Sequence, residues 1–195
     1  GELTRIVHEM NALDELRQMR TSGQRRDQLR PGGAPLTASL ESDARKHDLQ
    51  PATVAAALCA SLGLAASAVV VDVGAGTGLF AFEFAALLPA GRVFPLEVRA
   101  DALRALHARG RGVGNVQPLR MEPRAAPALP GGARADLVFM CDVFESIETA
   151  RREELVRSLR AILAPAGRLV VIERCAPPGP SLTCRRLQPR VGEAA

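Results

Sequence analysis

Val71-Asp72-Val73-Gly74-Ala75-Gly76-Thr77-Gly78 joins a β-branched run to a stretch patterned as a helix. Val69, Val70 and Val71 read as a strand buried on both faces. Beyond the glycines, Phe80, Phe84, Leu87 and Leu88 fall at i, i+4, i+7 and i+8, the stripe of an amphipathic helix. Pro89 and Gly91 stop it. A strand, a glycine-rich turn and a helix in that order let bare backbone approach a ligand at the strand's end.

The same alternation continues downstream. Residues 92–98 form a second strand candidate, and Leu103 and Leu106 mark a helix ended by Gly110. Residues 115–120 read as a short third strand, and 137–141 as a fourth. Leu155, Leu159, Ile162 and Leu163 stripe another helix, closed by Pro165 and Gly167, before a fifth strand at 169–172. Strands alternating with helices at this spacing predict βαβ units: an α/β, doubly wound, mostly parallel sheet. Upstream, Pro51 suits the first turn of a helix carrying Val54, Leu58 and Leu62 on one face, closed by Gly63. Residues 1–20 show weak helical spacing at Ile6, Met10 and Leu13, and 21–37 are rich in Gly and Pro, as in a loop. Three segments are therefore expected: an N-terminal helical and loop segment over 1–50 acting as a lid, a cofactor-binding domain over 51–174, and an irregular tail rich in Pro and Arg over 175–195.

Bulk properties narrow the function. A chain of 195 residues, 47% hydrophobic and 24% charged, suits one globular domain. It contains neither a membrane-length apolar run nor a secretory signal pattern at its start, so a cytoplasmic location without membrane partners is expected. The net charge of +4 comes from arginines interleaved with acids, and Trp and Tyr are absent. Nucleic acid is therefore not the expected partner. Cys59, Cys141, Cys175 and Cys184 form no C-x-x-C pair and the three histidines are scattered, so no metal site is expected. Cys59 and Cys141 read as small core residues.

The glycine spacing and its acid choose between two cofactor classes. A dinucleotide loop reads G-x-G-x-x-G and faces a pyrophosphate. Here Leu79 stands where the third glycine of that pattern belongs, and Asp72 precedes Gly74 by two residues. An acid there repels a pyrophosphate but suits a cation. S-adenosylmethionine (SAM) carries an ammonium and a sulfonium and no phosphate, so charge favours SAM over NAD.

With those residues in view, Asp72 to Gly78 resembles the first motif of class I SAM-dependent methyltransferases. Residues 93–103 and 136–147, and the turn Leu163-Ala164-Pro165-Ala166-Gly167-Arg168-Leu169, are similar to later motifs of small generic methyltransferase domains of the ubiquinone/menaquinone-methyltransferase-like group. The resemblance covers about residues 51–174 and implies a Rossmann-like fold that binds SAM and methylates a small molecule. It implies that Gly74, Ala75, Gly76 and Gly78 surround the methionine part and that Asp72 favours its ammonium. Glu97, 25 residues beyond Asp72, would accept from the ribose hydroxyls, and Val98 would pack on the adenine. Glu122 would lie near the adenine amine, although Met121-Glu122-Pro123 departs from the family's usual Gly-Asp-Ala-like pattern. Asp142 and Glu145 follow the fourth strand, in the loop that lies beside the methyl group. An ordinary surface acid is the plain alternative for Glu97 and Glu122, and a helix-opening acid for Glu145.

Relatives often carry His at Glu145 or Ser146, and this loop has none, so no catalytic base is assigned. Methyl transfer tolerates that, because alignment of two reactants alone is worth on the order of 7–11 kcal/mol, and a base is needed only for a protonated acceptor. The family usually ends with two further strands, whereas 175–195 is rich in Pro and Arg and the chain opens on Gly1. The sheet is therefore expected to lack its last two strands, the chain to be a fragment or altered product, and one edge of the fifth strand to be unpaired. Two other functions stay open: a catalytically degenerate methyltransferase-like binding module, and an NAD-binding oxidoreductase.

Overall fold

The computed structural model describes residues 5–9, 40–122 and 126–174. Strands β1 (Arg5–Glu9), β2 (Val69–Val73), β3 (Arg92–Glu97), β4 (Leu119–Arg120), β5 (Ala135–Cys141) and β6 (Leu163–Arg174) form one sheet. The order is β1-β6-β5-β2-β3-β4, parallel throughout except for β1, which runs antiparallel to β6. The helices are α1 (Asp43–Leu49), α2 (Pro51–Ser61), α3 (Ala81–Leu87), α4 (Ala100–Arg109) and α5 (Thr149–Ile162). The expected doubly wound α/β architecture is what the chain adopts. Among the described residues, no helix is long and apolar enough to cross a membrane.

Strand periodicity builds two cores, because alternate residues of a strand point to opposite faces. Val71, Val73, Val138 and Met140 pack on one face with Leu155, Val156 and Leu159 of α5. Val70, Leu137 and Phe139 pack on the other with Leu49 of α1, Leu58 of α2 and Phe84 of α3. Phe139 is held edge-on by Phe84, with ring centroids 5.3 Å apart, and tilted against Phe80 at 4.8 Å. Phe84 and Phe139 are fully buried, each such side chain contributing about 1.5–3 kcal/mol.

The structure corrects the reading of the N-terminus and of three element ends. Arg5–Glu9 is a strand, not a helix, and it covers the edge of β6 that was expected to be unpaired. Pairing the exposed N–H and C=O groups of β6 outweighs a weak local helical pattern. Met10, Leu13 and the stretches 21–37 and 175–195 lie outside the described residues. Helix α3 spans only seven residues, and Leu88 leaves helical geometry to turn inward, so Leu87 is 42% exposed rather than part of the buried stripe. Pro118 limits the third parallel strand to Leu119–Arg120 plus an isolated Val93–Val116 bridge.

The third end is Leu163. It begins β6 directly after α5 instead of ending the helical stripe. Ala135 pairs with Leu163 and Leu137 with Arg168, so the intervening Pro165 and Gly167 are absorbed in a register shift. A Cβ at Gly167 would lie 2.4 Å from the Ala135 carbonyl oxygen, so this backbone approach needs glycine.

Candidate cofactor site

Neighbouring strands β2 and β5 send their following helices, α3 and α5, to opposite faces of the sheet. The cleft beyond their carboxyl ends is thus the topological switch point, where ligands of open α/β sheets bind. The loop 74–80 leaves β2 there and the loop 142–148 leaves β5.

Gly74, Gly76 and Gly78 have φ of 68°, 58° and 94°, the left-handed region that costs glycine least. The loop's amide groups are used internally. Gly74 and Ala75 donate to the Leu96 carbonyl at 2.8 and 3.1 Å, and Gly78 to the Ala75 carbonyl at 2.8 Å. Gly76 donates to Glu97 Oε2 at 2.8 Å. The space a Cβ would take is filled by the protein itself, by Val143 at Gly74, Leu40 at Gly76, and Phe82 and Leu106 at Gly78, so the glycines serve close packing as well as the turn.

Asp72 is buried in β2, two residues before Gly74. The Ala81 amide at the start of α3 donates to its carboxyl, while Oδ2 is buried without a hydrogen-bond partner. Burial pushes its pKa up to about 8; the Ala81 amide opposes the rise and the nearby Glu97 adds to it. A buried acid with an unmatched oxygen costs stability unless a cation or donor meets it. This is the one buried, orphaned side-chain oxygen among the described residues, and an ammonium group is able to donate to it.

Glu97 is also buried, at 4% exposure. Besides Gly76, its Oε1 accepts from the Arg99 amide at 2.9 Å. A carboxylate has about four lone-pair sites, so two more hydroxyl donors can still be taken. Val98 stands next to it at 41% exposure, an apolar side chain open at the rim. Glu122 is exposed just past β4 and pairs with Arg120 at 3.7 Å. Its neighbour Met121 donates to the Glu97 carbonyl, so Glu122 leaves the sheet at the same end as the site.

Asp142 takes a left-handed φ of 55° at the end of β5. Its Oδ2 accepts from Arg45 Nη1 at 3.2 Å, which ties α1 to the loop after β5. Cys141 beside it is buried; burial first, and Asp142 next, push its thiol up to about 12. Of the two described cysteines, Cys141 is a buried core thiol as expected, while Cys59 is half-buried and packs against the edge of that core. Glu145 is exposed in a short 3-10 turn, Phe144–Ser146, three residues before α5 begins. Among the described residues no group of His, Cys, Asp or Glu is arranged to hold a metal ion.

Four contributors to the site were not legible in the sequence. Leu40 lies on the glycine loop, 3.1 Å from where a Cβ at Gly76 would stand. Arg109, at the end of α4, donates to the Thr77 carbonyl at 2.7 Å and covers the Phe82 ring at 4.6 Å. Val143 fills the space over Gly74, where a Cβ would meet its Cγ2 at 2.5 Å. Glu173, at the end of β6, accepts from the Val143 and Phe144 amides at 3.1 and 2.6 Å. Each acts across a long sequence separation, and no local spacing signals it.

Comparison with known proteins agrees with this geometry. The family described as "Methyltransferase domain" matches residues 71–169, half of the chain, from the end of β2 into β6. No curated protein sequence matches. A SAM dependent methyltransferase from Aquifex aeolicus shares the fold at a TM-score of 0.59 and 22% identity, over 74% of this chain and 76% of that one. The glycopeptide N-methyltransferase MtfA aligns at TM-score 0.54 and 22% identity, over 62% of this chain and 52% of its own. Coclaurine N-methyltransferase aligns at 0.53 and 15%, over 62% of this chain and 35% of its own. The chain thus spans about half the length of MtfA. The glycine loop at the switch point, the buried acids that flank it and the family match over residues 71–169 together place this chain in the methyltransferase domain family, among the class I SAM-dependent methyltransferases.

Proposed function

We propose that this chain binds SAM at the carboxyl ends of β2 and β3 and passes its methyl group to a small-molecule acceptor held beside the loop 142–148. The unpartnered, buried Oδ2 of Asp72 carries the reading. When bound, SAM supplies an electrophilic methyl on a sulfonium. Asp72 holds the ammonium group, and Gly74, Ala75, Gly76 and Gly78 form the turn that lies against the methionine part. Glu97 accepts from the ribose hydroxyls while keeping its bonds to the loop. Val98 offers an apolar surface to the adenine, with Glu122 at the far rim and Asp142 toward the reaction centre. A pyrophosphate at the same place would meet the Asp72 carboxylate, which disfavours NAD.

Of the N-terminal segment, residues 40–50 act as the lid in this proposal. Leu40 on the glycine loop and Arg45 on Asp142 are the contacts that support it. The chemistry asked of the protein is alignment, and Asp142 and Glu145 are the carboxylates of the loop after β5. Glycopeptide and coclaurine N-methyltransferases share the fold, and the carboxylates of the loop after β5 suit an amine acceptor. Isothermal calorimetry with S-adenosylhomocysteine (SAH) tests the reading. Saturable binding at micromolar ligand is expected, and no heat at millimolar ligand overturns it. A panel of amine acceptors with radiolabelled SAM then tests transfer.

A further inference from the structure

We propose that Glu173 is a positioning residue, which fixes the loop after β5 against the glycine loop and so sets the alignment of donor and acceptor from the far strand β6. The inference rests on the SAM-binding reading above for its consequence, though not for its geometry. Asp142 is left-handed with φ of 55°, and Val143 follows with φ of −119° and ψ of −42°. Successive residues in left- and right-handed conformations turn their amides toward one point, a concavity that binds an anion. Glu173 Oε1 occupies that point, taking Val143 N at 3.1 Å and Phe144 N at 2.6 Å.

The clamp reaches the cofactor loop through one side chain. Val143 lies over Gly74, whose added Cβ would come within 2.5 Å of Val143 Cγ2. The path from β6 to the glycine loop is therefore Glu173, the Val143 amide, the Val143 side chain and Gly74. The Asp142 amide donates to the Ile172 carbonyl at 2.9 Å, so β6 holds this loop at two adjacent points. A non-glycine residue in left-handed geometry is strained and persists only where its surroundings impose it. Burial chiefly, with Asp142 and Glu145 nearby, raises the Glu173 pKa, while the Phe144 and Val143 amides lower it. A group kept there against its neighbours is kept for the two amides it accepts.

The test compares wild type, Glu173→Gln and Glu173→Asp. Gln keeps an acceptor oxygen at the same reach and loses the charge; Asp keeps the charge and loses the reach. Amide hydrogen exchange over 142–147 and SAH affinity are measured for each, with thermal stability alongside. Glu173→Asp is expected to exchange about tenfold faster in that peptide and to bind SAH about fivefold to tenfold more weakly, while Glu173→Gln stays within about twofold of wild type on both. Unchanged exchange in Glu173→Asp overturns the clamp, as does a Gln variant that fails like Asp. Faster exchange with unchanged SAH affinity overturns the coupling to the glycine loop. Exchange needs no ligand, so a wild type that does not bind SAH refutes the functional reading, and with it the coupling, while the clamp itself is still decided.

Discussion

Glu97 Oε2 accepts a hydrogen bond from the Gly76 amide at 2.8 Å, so the acid that ends β3 holds the middle of the glycine loop that leaves β2. One carboxylate thereby shapes the loop and, in the proposed function, meets the ribose. Glu97→Ala leaves the Gly76 and Arg99 amides without their partner. A loss of about 1–3 kcal/mol of stability is expected, together with at least about a tenfold loss of SAH affinity. Glu97→Gln keeps an acceptor for Gly76 and should recover most of the stability. Chemical denaturation and calorimetry on both variants check this, and equal stability of Ala and Gln would refute the structural role.

Asp72 predicts a pH signature. Its pKa in the folded chain is about 8, against 3.8 when unshifted. Between those values the folded state retains a proton that the unfolded state has lost, so stability falls as pH rises through this window. The melting temperature of the ligand-free protein should drop from pH 5 to pH 8, and Asp72→Asn should flatten that slope. Ammonium binding favours the ionised acid, so SAH affinity should rise over the same range, with proton release visible in buffers of different ionisation enthalpy. A wild-type slope matched by Asp72→Asn would count against the assignment.

Gly74 and Val143 occupy one space. Gly74→Ala places a methyl group 2.5 Å from Val143 Cγ2 at a φ of 68°. Left-handed strain is worth about 1–2 kcal/mol and the clash about 1–3 kcal/mol, so a loss of about 2–5 kcal/mol is expected. Val143→Ala removes the obstructing methyls, and the double variant should regain about 1 kcal/mol relative to additivity. Urea unfolding of the four proteins completes the cycle, and strict additivity would refute the contact.

The Arg45–Asp142 pair, with side chains 22% and 10% exposed, joins α1 to the loop after β5. Its removal in Arg45→Ala should cost about 1–3 kcal/mol globally, because it takes a charged donor from a carboxylate that is only 10% exposed. Its local effect should be larger: limited proteolysis near residues 40–50 is expected to speed up severalfold, and SAH to slow it again if the N-terminal segment closes over the ligand. Identical cleavage rates in wild type and variant would remove Arg45 from the lid.

Local sequence carried the parallel core of this protein. The valine run of β2, the glycine spacing, Asp72 and Glu97 all announce themselves through period, composition or distance along the chain, because strand burial and tight turns are short-range properties. Even there, boundaries moved where a tertiary contact competed. Leu88 turned inward at the cost of the helix, and the close approach of Gly167 to Ala135 carried β6 back to Leu163. The pairing of Arg5–Glu9 with β6 was decided wholly by tertiary structure, since an unpaired strand edge recruits whatever segment reaches it. So was the grip of Glu173, Arg45 and Leu40 on the site. Spacing along the chain specifies what a residue is able to do; only the folded sheet determines which distant residue it faces.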